Sequence, residues 1–74
     1  MIDWTLGVAA HEQIAAVIRA EIDAGQLEAG NRLQDRDQLG ERFDVSHMTV
    51  SRALRVLRDE GRIIYRPGRG HFVV

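Results

Sequence analysis

The stretch VSHMTVSRALRVLRDEG, residues 45–61, constrains the fold of this chain more than any other segment. Ser46 can cap a helix, because its hydroxyl accepts from the free backbone N–H groups of a first turn, and Gly61 can adopt the left-handed conformation that ends one. Four apolar residues between them recur at helical spacing and form one stripe: Val50, Ala53, Leu54 and Leu57. The pattern predicts an amphipathic helix over residues 46–60, packed against a core on one side.

The opposite side of this helix offers hydroxyl, imidazole and guanidinium groups, on His47, Thr49, Ser51, Arg52, Arg55 and Arg58. Such groups hydrogen-bond phosphates and base edges, and the short ones lie at the N-terminal end, where the helix dipole favours an anion. A plain solvated surface helix has the same pattern. The neighbouring segments must therefore decide between a helix that reads DNA and one that only faces water.

A chain of 74 residues has room for one small domain with a modest core. It has no cysteine, which excludes disulfides and cysteine nucleophiles and fits a reducing compartment. No apolar run approaches the roughly 20 residues of a membrane span. We therefore expect a soluble, cytoplasmic protein with no membrane partner.

Nothing in the sequence indicates catalysis. The three histidines, His11, His47 and His71, lack metal-ligand spacing, and no glycine-rich loop of the P-loop or dinucleotide type is present. A fold of this size also leaves little room for a substrate pocket. We expect a protein that is not an enzyme, with no catalytic residues, no metal and no cofactor.

The net charge of −1 conceals an asymmetry along the chain. Residues 1–45 carry nine acids and four arginines, a net charge of −5, whereas residues 46–74 carry six arginines and two acids, a net charge of +4. The C-terminal part is thus a basic pole, which favours a polyanionic partner.

The first part of the chain predicts a short arm and a helix. Residues 1–7 have no clear period, and Trp4 either folds onto the first helix, which is the favoured reading, or meets a partner. From about Val8 to Ala24 apolar residues recur at helical spacing: Ile14, Val17, Ile18 and Ile22. We expect an N-terminal arm over 1–7 and a single domain over 8–74.

A second, short helix is indicated by Asp35 and Gln38, which stand at capping-box spacing, and by Leu39 and Phe43, which supply its buried side. Only two residues, the second being Val45, then separate it from the helix over 46–60. Two helices so closely joined must cross steeply, with Val45 buried at the corner. The arrangement predicts a helix-turn-helix.

One glycine, Gly40, falls inside this second helix. A glycine in a helix interior costs about 1 kcal/mol relative to alanine. We expect the close approach of another backbone at this point to compensate for that cost.

The C-terminal run RIIYRPGRGHFVV contains two β-prone stretches, residues 63–65 and 72–74, separated by a turn-forming PGRG. It predicts a β-hairpin with a basic tip. The predicted fold is therefore mainly α with a small β part, a winged helix-turn-helix of three helices and a C-terminal hairpin wing. In such folds the third helix lies in the major groove of DNA and the wing reaches the minor groove or the backbone. In this chain these elements would be residues 46–60 and residues 66–71.

Over residues 10–74 the chain resembles the DNA-binding domain of GntR-family bacterial transcription regulators. The resembling strings are IAAVIRAEIDAGQLEAGNRL, LGERFDVSHMTVSRALRVLRDEG and RPGRGHFV. The MTVSRAL and RPGRGHFV parts look closer to the HutC-type branch than to the FadR-type. The resemblance implies sequence-specific binding of double-stranded DNA by a repressor that acts as a homodimer on a pseudo-palindromic operator. It implies a small-molecule effector only if a longer chain carries a C-terminal effector domain.

The chain departs from the family pattern at three positions where the family commonly has arginine. Where the family has a Pro-Ser-Glu-Arg-like run, this chain has QDRD, so Asp37 replaces the arginine and Arg36 is one position away. His47 and Ser51 stand at the other two positions. Since a bidentate arginine–guanine pair discriminates by about 1–3 kcal/mol, we expect a different operator or weaker binding.

The candidate DNA contacts are Arg36, Ser46, His47, Thr49, Ser51, Arg52, Arg55, Gly68, Arg69 and Gly70. Turn geometry alone explains the two glycines, and Arg69 could also be a freely solvated hairpin residue. His71 is evenly balanced between contact and surface filler. For Met48 we favour burial beside the second helix over contact with a thymine methyl.

The alternative function is a winged-helix module for protein–protein interaction, with weak or no DNA binding. The missing arginines and the acidic first half of the chain favour it. Salt dependence separates the two, because phosphate neutralisation makes affinity fall steeply with salt and an apolar protein contact does not.

Overall fold

The computed structural model describes every residue from Met1 to Val74. Its elements are helices α1 (Ala10–Asp23), α2 (Arg36–Phe43) and α3 (His47–Asp59), followed by strands β1 (Ile63–Arg66) and β2 (Gly70–Val73). The two strands form one antiparallel sheet. The predicted fold of three helices and a C-terminal hairpin is confirmed.

The core is built around α3. All four residues of its predicted apolar stripe are buried, and they pack with buried residues of α1 in one cluster of 13 apolar side chains. The predicted helix ends are also confirmed, since the Ser46 hydroxyl accepts from the Thr49 N–H at 3.3 Å and Gly61 has a left-handed φ of 76°. No polar side chain is buried, so burial of apolar surface holds this domain together.

The turn between α2 and α3 is fixed by short-range hydrogen bonds. The predicted capping box is present, with the Gln38 N–H 2.8 Å from Asp35 Oδ1 and the Asp35 N–H 2.9 Å from Gln38 Oε1. Asp44 ends α2 in the left-handed conformation, with φ 54°. Val45 is half-buried rather than fully buried, because it packs against the edge of the core at the corner.

Gly40 lies where the predicted close approach occurs. Its carbonyl accepts from the Val45 N–H at 3.0 Å, and a Cβ built on it would lie 3.1 Å from the Val45 carbonyl oxygen. The expectation that another backbone approaches this glycine is confirmed. Gly40 thus allows α2 and the following turn to pack closely.

The hairpin is joined to the body of the domain along β2. Ile63 and Val73 face each other across the sheet and both enter the core. On the other side of β2 the segment 30–33 runs antiparallel to it, with the Leu33 N–H 2.9 Å from the His71 carbonyl and the Val73 N–H 2.8 Å from that of Asn31. The wing is therefore anchored on both sides of one strand.

The N-terminal residues differ from the expectation in detail. Trp4 does not pack on α1 and is 73% exposed, whereas Ile2 enters the core. The reason is that Gln13 binds the backbone of Asp3 with both ends of its amide, which turns Ile2 inward and leaves Trp4 outside. The first helix begins later than expected, because the Val8 carbonyl accepts from the Gln13 side chain and Ala9, with φ −56° and ψ 140°, is not helical.

We predict that Gly40→Ala lowers the free energy of unfolding by about 1–2 kcal/mol. The added Cβ meets a backbone carbonyl that the tight turn holds in place, whereas glycine-to-alanine changes at open helix positions stabilise by up to about 1 kcal/mol. Urea unfolding of both proteins measures the difference. Ala16→Gly, at an exposed position within α1, supplies the ordinary helix-propensity effect for comparison. A gain in stability for Gly40→Ala would contradict the prediction, because it would show that the turn shifts to make room for the added Cβ.

Candidate nucleic-acid interface

The ten arginines divide into two groups by their partners. Three form ion pairs with carboxylates: Arg19 with Glu60, Arg42 with Glu21, and Arg62 with Asp23. Each of these pairs includes a residue of α1, at N–O distances of 2.5 to 2.6 Å. The other arginines have no carboxylate partner, and they are Arg32, Arg36, Arg52, Arg55, Arg58, Arg66 and Arg69. Three arginines are therefore neutralised by pairs that involve α1, and the arginines without a carboxylate partner lie around α3 and the wing.

A cleft of about 640 Å³ separates α3 from the wing, and its floor is the segment that leads into α2. Five of the candidate contacts line it: Arg36, Ser51, Gly68, Arg69 and Gly70. The only carboxylate in its lining belongs to Asp35, which is occupied in capping α2. The cleft thus presents cationic and polar groups from three separate elements.

The outermost strip of α3 consists of Met48, Arg52 and Arg55, at i, i+4 and i+7. All three are exposed, Met48 to 65%, so the expected burial of Met48 is wrong. Met48 precedes the buried Val50 by two residues, which is a rotation of about 200° around the helix axis. It therefore points to the side of α3 opposite Val50. This strip faces away from the core and is free to meet a partner.

The N-terminal end of α3 holds three more candidates, and their polar groups contact one another or α2. Ser46 Oγ lies 3.3 Å from Thr49 Oγ1, in addition to capping the helix. His47 Nε2 lies 2.6 Å from Asp37 Oδ1 in the first turn of α2. His47 and Asp37 occupy two of the positions where the family resemblance implies arginines, so this end of the surface is less positive than the resemblance implies.

The wing tip is held by Arg32. Its Nε donates to the Arg69 carbonyl at 2.8 Å, and a Cβ on Gly70 would lie 3.1 Å from the same Nε. Gly70 also has a φ of 112°, which side-chain-bearing residues rarely adopt. Its identity therefore follows from turn conformation and from the close approach of Arg32, while the Arg69 side chain remains exposed.

Two residues absent from the candidate contacts, Arg58 and Tyr65, also line the cleft. Arg58 Nη1 lies 2.9 Å from Nε2 of His71, and the Tyr65 and His71 rings are 5.1 Å apart. His71 is half-buried, and burial, followed by the charges of Arg58 and Arg36, lowers its pKa. The spacing of Ser51 and Arg58, seven residues, places both on one flank of α3 and was the available sequence signal.

The structure holds no group of three or more histidine and acidic side chains placed to bind a metal ion. None of its helices is both long enough and apolar enough to cross a membrane. The features that stand out are instead the helix-turn-helix, the anchored wing and the arginines around them. Together they define a winged helix-turn-helix protein.

The family model described as bacterial regulatory proteins, gntR family, matches residues 10–73. This chain belongs to that family. Among curated relatives, it is 35% identical over 63 residues to the HTH-type transcriptional regulator YydK of Bacillus subtilis, covering 85% of this chain and 27% of the relative. It is also 35% identical over 63 residues to the histidine utilization repressor of Klebsiella aerogenes, covering 85% and 26%. The chain thus spans only about a quarter of the length of these relatives.

Solved structures show the same fold. The GntR-family transcription factor YtrA from Sulfolobus acidocaldarius is 32% identical, with a TM-score of 0.91 over 99% of this chain and 77% of that one. The DNA-binding domain of AraR in complex with operator ORX1 is 22% identical, with a TM-score of 0.92 over 100% of this chain and 93% of that one. The second likeness concerns the fold alone.

We predict that His71 makes stability depend on pH. Its pKa is lowered in the folded state, so the unfolded chain binds more protons as the pH falls below the ordinary value of 6.5. The contribution of His71 to the free energy of unfolding is therefore present above pH 6.5. It is lost as the pH falls through the pKa that His71 has in the folded state. Urea unfolding at pH 7.5 and 5.0 should show a smaller loss for His71→Gln than for the parent.

The matched control for this measurement is His11→Gln, which removes a histidine from α1 and leaves His71 in place. The His11→Gln variant should still show the part of the stability loss between pH 7.5 and 5.0 that His71 causes. Equal losses in the parent and in His71→Gln would contradict the prediction.

Proposed function

We propose that this chain is a sequence-specific, double-stranded DNA-binding domain of a bacterial transcription regulator. The observation that carries the proposal is the division of the arginines, with seven free of carboxylates around α3 and the wing and three neutralised against α1. Such a one-sided basic surface attracts a polyanion. Membership of the gntR family of bacterial regulatory proteins supports the same function, and the AraR domain, which has the same fold, was solved in complex with operator DNA.

In the proposed complex α3 lies in the major groove. The strip of Met48, Arg52 and Arg55 faces the base edges, where a guanidinium pairs with guanine and a methionine packs on a thymine methyl. The Ser46 and Thr49 hydroxyls, at the N-terminal end of the helix, bind a phosphate together with the helix dipole.

Ser51, Arg36 and the wing contact the backbone on the other flank of α3. Arg69 reaches a phosphate or the minor groove from the tip of the wing, and the two glycines beside it, Gly68 and Gly70, allow the backbone to approach the DNA. These contacts position the domain without selecting bases.

The pair formed by Asp37 and His47 should give this domain its own base preference. A carboxylate accepts from the amino group of cytosine and repels phosphate. Arginine instead donates to the O6 and N7 atoms of guanine and attracts phosphate. We therefore propose an operator half-site that differs from those read by relatives with arginine at these positions.

The wider setting is proposed from the relatives. The histidine utilization repressor among them supports a repressor role and the HutC-type branch. We propose that the protein binds a pseudo-palindromic operator as a homodimer in the bacterial cytoplasm, without enzymatic activity. A small-molecule effector enters only if a longer chain carries a further domain.

Selection of bound sequences from a random double-stranded DNA library, at two salt concentrations, tests this function. We expect an enriched motif for the parent, because α3 presents free donors to the bases. Arg52→Ala should relax one position of the motif, at a cost of about 1–3 kcal/mol, and Arg69→Ala should weaken binding uniformly across sequences.

The matched control is Arg19→Ala, which removes an arginine already paired with Glu60 on the far side of the domain. It should leave the motif unchanged. A folded parent protein that enriches no sequence and shows no salt-sensitive binding would reject DNA binding and favour a protein-binding module.

A further inference from the structure

We infer that the cleft between α3 and the wing binds one backbone phosphate of the DNA, with Arg58 as its main ligand and His71 as the residue that positions Arg58. The inference rests on the proposed DNA-binding function and assigns a specific contact within it. Neither the family match nor the likeness to solved structures assigns a role to these two residues.

The first argument is charge. Arg36 from α2, Arg58 from α3 and Arg69 from the wing all line this cleft, and none has a carboxylate partner. The single carboxylate in the lining, that of Asp35, accepts from the Gln38 N–H at 2.8 Å. The arginines of the lining outnumber this one carboxylate, so they repel one another, and a phosphate between them reduces the repulsion.

The second argument is the orientation of Arg58. A guanidinium only donates hydrogen bonds, so the 2.9 Å contact between Arg58 Nη1 and His71 Nε2 makes Nε2 the acceptor and the imidazole neutral. The Tyr65 ring lies against the imidazole, with centroids 5.1 Å apart, and opposes its rotation. His71 therefore holds one nitrogen of the guanidinium and leaves the remaining N–H groups free to bind phosphate oxygens.

This arrangement lowers the entropic cost of binding. A free surface arginine loses rotamer entropy when it is fixed by a ligand. Arg58 is already restrained by His71 in the unbound domain, unlike Arg52 and Arg55 on the outer strip, for which the structure records no side-chain hydrogen bond. Restraint before binding favours a defined phosphate contact over diffuse attraction.

The third argument is position. With α3 in the major groove and the wing at the next groove, the sugar–phosphate ridge between the grooves passes through the cleft that separates them. Arg58 lies near the C-terminal end of α3, on the flank shared with Ser51. It is therefore placed to contact the ridge and not the base edges.

The test measures the affinity of the intact 74-residue chain for a duplex carrying the selected motif, over a range of salt concentrations. We expect Arg58→Ala to bind about tenfold more weakly, as for loss of a charge-assisted hydrogen bond, with a slope of log K against log salt that is shallower by about 0.9. Arg58→Gln, which can still donate to His71 but has no charge, should show the same change in slope.

Variants of His71 separate positioning from direct binding. His71→Ala should weaken binding with the slope unchanged, because Arg58 still reaches the phosphate but is less restrained. His71→Gln supplies another acceptor and should restore most of the affinity. In the double variant Arg58→Ala/His71→Ala, the His71 change should have no further effect, because its effect acts through Arg58.

Duplexes with a neutral methylphosphonate at single backbone positions identify the phosphate. One position should weaken the parent about tenfold and weaken Arg58→Ala by much less, whereas Arg19→Ala should respond as the parent does.

The possible results separate the two proposals. If the parent shows no salt-sensitive binding to any duplex, DNA binding itself is rejected. If the parent binds and folded Arg58→Ala matches it in affinity and slope, DNA binding stands and the phosphate site is overturned. If His71→Ala weakens binding as much in the Arg58→Ala background as it does in the parent, His71 is itself a ligand and its positioning role is overturned.

Discussion

Burial of the apolar face of α3 is the interaction on which the rest of this domain depends. α1, α2 and β1 all pack against this helix, so the same four side chains hold the helix-turn-helix together and fix the base of the wing. Truncating a buried leucine there costs about 2–5 kcal/mol, a large share of the 5–15 kcal/mol typical of small domains. The fold and the presentation of the recognition surface therefore rest on a single packing unit.

Charge is organised around that packing unit. Glu21 and Asp23 of α1 pair with Arg42 and Arg62, and Arg19 of α1 pairs with Glu60, so these carboxylates are not paired with the free arginines around α3 and the wing. Solvent-exposed pairs of this kind contribute little to stability. Their larger effect is electrostatic, because each pair neutralises an arginine beside α1 and leaves the other seven around α3 and the wing in a chain whose net charge is −1.

The sequence predicted correctly those features that depend only on residues close together in the chain. The stripe of α3, the capping box at Asp35 and the close approach at Gly40 all follow from spacing and backbone chemistry. The prediction that Trp4 packs on α1 was wrong, because the position of Trp4 depends on how the Gln13 amide turns the first residues. The contact between Arg58 and His71 could not be foreseen, since it requires the register of the hairpin against α3, which no local pattern specifies.

The segment 30–33 that runs along β2 also governs how this small sheet meets other molecules. Because β2 has partners on both sides, β1 is the only strand with an open edge. That edge is four residues long, ends in Arg66 and is followed by Pro67, features that discourage a second sheet from adding to it. The wing can therefore project from the domain without becoming a template for edge-to-edge aggregation.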